Sequence, residues 1–404
     1  MRLAFIHPSF EQRGGAENHL IAAMQGLAER GHTVDLFTAR YDESLYLPLE
    51  QARFGVHCIG GRGFMEGIPG TWRAVRTLSR ALRGYDLALP ANFPAHIWTA
   101  LGDHGVPTAW LCMEPKRNLY PRVMYAEAPG FDAWAYRTLS DYRGREGLRL
   151  LLREDAHVLL PYPVRAALQR LLDRLAVRRV RAILANSPYT ADKAWQLYHH
   201  PRIYVTWAGV PLPPPDALTW PPEPLILIPT RLERIKNVET ALRAVHLLAC
   251  GGQLSGWHVI ITGGGEDEAR LRALSAELGL GEQVTFTGFV SREALSRLYA
   301  RCAMVVYPSL AEPLGLPCAE AALYGKPVIA SHQGGPAALV QDGVSGLLVD
   351  MTSAPALARA IAALIADPAR AAAMGTAGRA WTEPRLGLPA WVEKFEAVLA
   401  EAAS

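Results

Sequence analysis

Apolar residues fall in short uninterrupted runs, each followed by a stretch where they recur every three or four positions. Residues 3–6 (LAFI) leave no room for a helix; a glycine-bearing loop and a helical pattern over 16–30 follow them. This is the signature of strand, loop and helix. Residues 33–38 (TVDLFT), 85–91 (YDLALPA), 107–111 (PTAWL) and 182–185 (AILA) read as further strands with helical stretches between them. Ser187 is placed to cap a helix that opens on Pro188. The second half repeats the alternation, with strand candidates at 225–228, 259–262, 284–287, 304–307, 328–330 and 347–349. Strands alternating with helices predict an α/β fold: two doubly wound Rossmann-like domains, each a parallel sheet covered on both faces. An arginine-rich helical region at 132–181 is expected to be interrupted at Pro161 and Pro163, and the tail at 389–403 reads as an amphipathic helix.

Residues 211–224 (PLPPPDALTWPPEP) carry seven prolines, so neither sheet nor helix can cross them. They mark the boundary. The expected organisation is a domain over 1–210, a stiff linker over 211–224, a second domain over 225–385 and a C-terminal helix over 386–404 that crosses back to the first domain. A length of 404 residues agrees, being too long for one core.

Charge changes the picture only through its distribution. The net charge is +3, which gives no reason to expect nucleic acid as a partner. Residues 1–205 carry 26 basic and 19 acidic side chains, a net of +7, whereas the remainder carries 15 and 19, a net of −4. Eleven arginines against five acids between Arg137 and Arg181 supply nearly all of that excess. Two readings stand for this stretch: contact with an anionic membrane or acceptor, or a solvated helix face. Five cysteines with no C-x-x-C pair fit a reducing cytoplasm. No run reaches the ~18 apolar residues of a membrane-spanning helix, so the chain is expected to be cytoplasmic, either soluble or peripheral to the membrane.

In open parallel sheets ligands bind beyond the carboxyl ends of strands, and two such domains in tandem predict a cleft between their facing edges. The loop after the first run holds Gly14 and Gly15 ahead of a helix, an anion cradle or simply a tight turn. After 225–228, Arg231 and Lys236 could clamp a diphosphate through a planar fork and a point charge. The loop after 304–307 reads PSLAEPLGLPCAE: Pro317 sits where a helix would start, Gly315 and its neighbours offer amides, Glu320 is expected in the first helical turn and Glu312 precedes it. Two carboxylates flanking an anion site suit a ligand with hydroxyls on both sides of its phosphates, as in a sugar nucleotide. A capping acid is the plainer account of Glu320.

Glu312 and Glu320 with seven residues between them, followed by YGKPVIASHQGGP (324–336) and DGVSGLLVD (342–350), resemble the signature of the retaining, nucleotide-sugar-dependent glycosyltransferases of family 4, which have the two-domain GT-B fold. Gly14-Gly15-Ala16-Glu17, Asn186-Ser187, Gly209-Val210, Gly263-Gly264-Gly265-Glu266 and the stretch Phe286 to Val290 are similar to other family motifs, so the resemblance covers almost the whole chain.

The resemblance implies a catalytic set of Arg231, Lys236 and Glu312. The first two would neutralise the leaving diphosphate and the third would contact the transferred sugar. It implies donor binding by Gly14, Gly15, Gly264, Val290, Pro313, Leu314, Gly315, Leu316 and Glu320, the last holding the ribose diol. It implies no cofactor beyond the nucleotide diphosphate sugar donor and no metal, and no Asp-x-Asp metal motif is present. The acceptor would be a glycan or a lipid-linked glycan, with a lean towards GDP-mannose as donor. Two positions depart from the pattern: Met113, followed by Glu114 on the acceptor side, stands where relatives carry His, and Ala338 stands where many carry Glu. A thioether cannot donate to a sugar hydroxyl. These departures leave a second reading, a catalytically silent nucleotide-sugar-binding protein on the same fold.

Overall fold

The computed structural model describes residues 1–11, 14–44, 51–59, 67–117, 119–126, 162–214 and 222–404. Its contacts group into two compact units, Met1–Gly209 with Val392–Ser404, and Val210–Trp391.

In the first unit the strands are β1 (Arg2–His7), β2 (Thr33–Thr38), β3 (Gly55–Cys58), β4 (Leu87–Pro90), β5 (Ala109–Cys112), β6 (Ala182–Ala185) and β7 (Ile203–Val205). All pair in parallel, in the orders β3-β2-β1-β4 and β5-β6-β7. Single parallel bridges, Ala88 to Thr108 and Ala91 to Leu111, link β4 to β5. Strand order therefore reverses between β1 and β4. β4, β5 and β6 are buried at every position, as strands covered on both faces must be. The edge strands β3 and β7 are only half covered and went unmarked by the apolar pattern. The helix expected at 16–30 spans Gly15–Glu29, and Ser187 caps the helix Pro188–Tyr198 by accepting the Thr190 amide at 3.0 Å. Pro163 opens the helix Tyr162–Val177 instead of interrupting it, because proline in the first turn forfeits no helical bond. The rest of the arginine-rich stretch, 137–161, lies outside the described residues.

The C-terminal helix Leu388–Ala403 contributes most of its length to this unit. Glu396 receives Arg30 at 2.6 Å and lies 2.8 Å from His32, and Tyr204 donates to Glu401 at 2.5 Å. Val392 packs so closely on Gly26 that a β-carbon there would fall 2.6 Å from its methyl group.

In the second unit β8 (Leu225–Pro229), β9 (His258–Thr262), β10 (Val284–Gly288), β11 (Met304–Tyr307), β12 (Val328–Ser331) and β13 (Gly346–Val349) form one parallel sheet in the order β10-β9-β8-β11-β12-β13. The six strands match the six apolar runs. β8, β11 and β12 are buried throughout, whereas edge strand β10 alternates between buried and exposed positions. Helices Val238–Cys250 and Ala354–Ala366 cover the sheet with Leu242, Val245, Leu357 and Ile361. Order reverses between β8 and β11, so the loops following these two strands emerge side by side. Both units are thus doubly wound. Among the described residues no helix is long and apolar enough to cross a membrane.

Two buried histidines in the first unit have pKa values pushed down to about 4, chiefly by burial. His7 receives the Ser9 amide at 3.3 Å and faces Asn92 at 2.9 Å and Glu17 at 3.6 Å; His19 faces the Gly209 carbonyl at 3.4 Å. Both are neutral when folded and take up protons near pH 6.5 when unfolded. Their contribution is complete above pH 6.5 and is lost as pH falls towards 4, by up to roughly 3 kcal/mol each. Melting temperature measured from pH 7 to pH 4.5 is expected to fall less steeply in His19→Gln than in the unsubstituted protein.

Candidate functional site

The chemistry gathers where the loops after β8 and β11 meet. β8 ends at Pro229, and Thr230 to Glu233 lead into a single turn of 3-10 helix, Arg234–Lys236. Asn237 then takes a left-handed conformation with φ 54°. Its side-chain amide donates to the Pro308 carbonyl at 3.2 Å and the Met351 carbonyl at 2.7 Å, and its oxygen receives the Thr240 hydroxyl at 2.9 Å. One asparagine therefore ties together segments following β8, β11 and β13. The Leu310 amide adds a bond to the Ile235 carbonyl at 2.9 Å.

This lacing brings Lys236 against Glu312. The ammonium donates to Glu312 Oε2 at 2.5 Å, with both side chains 13% exposed, and Ser309 donates to the same oxygen at 3.0 Å. Below them lies Tyr307, the last residue of β11. Its phenol is held protonated far above the usual range, first by burial and then by the charge of Glu312. The other side of Glu312 is walled by the loop after β12, where the Gly335 amide donates to the Glu312 carbonyl at 2.7 Å. A β-carbon on Gly335 would lie 2.2 Å from the Pro313 carbonyl oxygen, which explains the glycine.

Gly315, at φ +88°, turns the chain into the helix Leu316–Leu323, with Pro317 at its start. Pro313, Leu314, Gly315 and Leu316 thus surround that helix's amino end, whose free amides and dipole favour an anion. Glu320 stands one turn further along than expected: five residues into the helix, too far to cap it. Its carboxylate instead receives Arg292 Nη1 at 2.7 Å on one oxygen and the Tyr299 hydroxyl at 2.8 Å on the other.

Arg231 is exposed and pairs with Glu233 at 3.0 Å, on the same loop as Lys236. The Gly264 carbonyl accepts the Leu232 amide at 3.0 Å, fixing the loop after β9 beside Arg231. A β-carbon on Gly263 would fall 2.1 Å from the Thr230 carbonyl, so this approach also requires glycine. Val290 lies in the exposed turn between β10 and the helix Arg292–Arg301, beside the 70% exposed ring of Phe289.

The remaining candidates belong to the first unit. Gly14 precedes the helix Gly15–Glu29, and the Glu17 carboxylate folds back over it, 2.0 Å from where a β-carbon would stand. The Met113 carbonyl receives the Thr190 hydroxyl at 3.4 Å, and Glu114 is bonded by Arg117.

Asn237, Arg292, Tyr299 and Ser309 were not singled out by sequence. For Arg292 and Tyr299 a signal exists: with Ser296 they occupy positions i, i+4 and i+7 of one helix, a single face. That face meets Glu320 and Tyr324, themselves four residues apart, with Ser296 and Tyr324 hydroxyls 2.5 Å from each other.

The second unit thus sets a paired cation and carboxylate at the order reversal of a parallel sheet, beside a helix amino end. The model of glycosyl transferases group 1 matches residues 216–381, and that of Glycosyltransferase Family 4 matches 13–212. The chain belongs to this family of glycosyltransferases, and its structural neighbours have two Rossmann-like domains of the GT-B class.

A GDP-mannose-dependent alpha-(1-6)-phosphatidylinositol monomannoside mannosyltransferase of Mycolicibacterium smegmatis is 34% identical over 39% of this chain, which spans about 43% of that relative's length. A D-inositol 3-phosphate glycosyltransferase of Nocardia farcinica is 28% identical over 98% of this chain and 87% of its own. Among solved structures, Anabaena Alr3699/HepE in complex with UDP and glucose superposes with a TM-score of 0.75 at 19% identity, covering 99% of this chain and all of that one.

Gly335→Ala places a methyl group inside the backbone that carries Glu312. It is expected to lower stability by about 2 kcal/mol, measured by urea denaturation, whereas Gly281→Ala, with open space around its β-carbon, costs less.

Proposed function

We propose that the protein is a retaining hexosyltransferase that moves a hexose from a nucleotide diphosphate sugar to a hydroxyl of a glycan or lipid-linked glycan. The observation carrying this reading is the Lys236–Glu312 pair at 2.5 Å, set at the reversal of strand order between β8 and β11 and next to the amino end of Leu316–Leu323. GDP-mannose is the favoured donor, supported by the GDP-mannose dependence of the Mycolicibacterium relative. UDP-glucose is the alternative to test beside it, since UDP and glucose occupy the Anabaena neighbour.

Charge builds on the leaving diphosphate as the anomeric carbon becomes oxocarbenium-like. Donors already in place stabilise that charge without reorganising. Lys236 supplies a point charge whose position Glu312 and Ser309 fix, and Arg231 supplies a planar fork that exchanges Glu233 for phosphate. The amides of Gly315 and Leu316 complete the cradle, and the loop of Gly264 and Val290 borders the nucleotide. Glu312 also accepts from hydroxyls of the transferred hexose, and Glu320 accepts from the ribose diol. With two cations and a helix amino end facing the phosphates, no metal ion is required for leaving-group departure. Gly14, Gly15, Met113 and Glu114 belong to the first unit, which we assign as the acceptor-bearing one.

Five cysteines without a disulfide among them fit a reducing, cytoplasmic setting. An acceptor carried on lipid would bring the enzyme to the membrane face through the basic stretch of residues 137–181.

Nucleotide release is to be followed with GDP-mannose and UDP-glucose against lipid-linked and soluble glycan acceptors. Arg231→Ala is expected to lower kcat by about a hundredfold, and Glu320→Ala to raise the donor KM with a smaller change in kcat. Donor binding without nucleotide release from any acceptor would overturn the assignment in favour of a silent binding protein.

A further inference from the structure

Glu320 has two partners that no sequence motif announces. Arg292 opens the helix Arg292–Arg301 and donates Nη1 to Glu320 Oε1 at 2.7 Å; Tyr299 lies two turns on and donates its hydroxyl to Oε2 at 2.8 Å. Each carboxylate oxygen is thus held by a different residue, and turning the group about its last bond would break both contacts. Tyr299 is 2% exposed and Glu320's side chain 14%. The Tyr299 ring stacks on Tyr324 with centroids 5.3 Å apart and planes 21° from parallel, so its hydroxyl has little freedom to point elsewhere. Tyr324 is fixed in turn by Ser296 at 2.5 Å.

We propose that Arg292 and Tyr299 are positioning residues that hold Glu320 in the one orientation able to accept both hydroxyls of a vicinal diol, making this carboxylate the element that selects a ribonucleotide over its 2′-deoxy counterpart. The proposal rests on the reading of Glu320 as the ribose contact. A carboxylate accepts about four hydrogen bonds. Arg292 and Tyr299 take one on each oxygen, which leaves each oxygen a further acceptor direction for one hydroxyl of a diol. The bond from Arg292 is charge-assisted, which strengthens its hold on Glu320. A site built to receive a hydroxyl rejects the analogue without it far more strongly than an apolar pocket rejects a missing methylene. Arg292 also directly follows Phe289, Val290 and Ser291, so the contact that orients Glu320 anchors the loop after β10 to the helix Leu316–Leu323.

The test compares dissociation constants by calorimetry for GDP with 2′-deoxy-GDP and for UDP with 2′-deoxy-UDP, using whichever base binds. The unsubstituted protein is expected to prefer the ribonucleotide by about tenfold or more. Tyr299→Phe keeps the stacked ring and removes only the hydroxyl; Arg292→Gln changes a half-exposed side chain. Each is expected to reduce the preference at least about threefold by weakening ribonucleotide binding alone, with Arg292→Lys recovering part of it. Equal weakening of both nucleotides would mark the residues as mere staples between helices and overturn the proposal. An unchanged preference in these variants, lost in Glu320→Gln, would overturn it while leaving the ribose contact standing. A preference unchanged in Glu320→Gln as well would refute the ribose contact itself.

Discussion

A parallel sheet covered on both faces has no place for charge except at the ends of its strands, and this constraint shapes the second unit. β8 and β11 are apolar and buried from end to end. Lys236 and Glu312 stand instead on the segments that follow them. Because order reverses between these two strands, the helices that follow them leave to opposite faces of the sheet, and a crevice opens between the two loops at the strand ends. The Lys236–Glu312 pair spans that point. Each member is mostly shielded from water, and each needs the other. Tyr307, Ser309 and the Gly335 amide then define where the carboxylate stands, and through it where the ammonium stands.

The two carboxylates of the site are held by different means, and their surroundings suit different tasks. Glu312 sits on a loop and is fixed by groups from three segments. Glu320 sits on a helix and is fixed by one face of a neighbouring helix. The first is coupled directly to the ammonium of Lys236; the second is oriented by Arg292 and the Tyr299 hydroxyl.

Much of this was visible in the chain before any geometry. The central strands were legible because burial on both faces makes them continuous apolar runs, and all six strands of the second unit were found. β3 and β7 were missed for another reason: a glycine and a histidine break the apolar run in Gly55–Cys58, and Ile203–Val205 is only three residues long. Lys236, Glu312 and Glu320 were identifiable because they follow strands at a spacing shared with a family. Their partners were not. Asn237 acts through a left-handed backbone and two carbonyls distant in sequence, which composition does not encode. Arg292 and Tyr299 are spaced as an ordinary amphipathic helix would space them, and only the neighbouring helix shows that their face is polar for a purpose. Arg231 and Lys236 were expected as a matched pair. They share a loop, but Glu233 holds one and Glu312 the other.

Asn237 joins segments separated by more than a hundred positions, since its amide reaches Pro308 and Met351. None of the three has a defined position until β8, β11 and β13 are assembled in one sheet. Synthesis from the amino end therefore exposes Lys236 long before the carbonyl that completes its support has been made. A nascent chain that has emerged only as far as Glu320 carries every charged residue of the site but still lacks β12, the Gly335 amide and the Met351 carbonyl that complete its support.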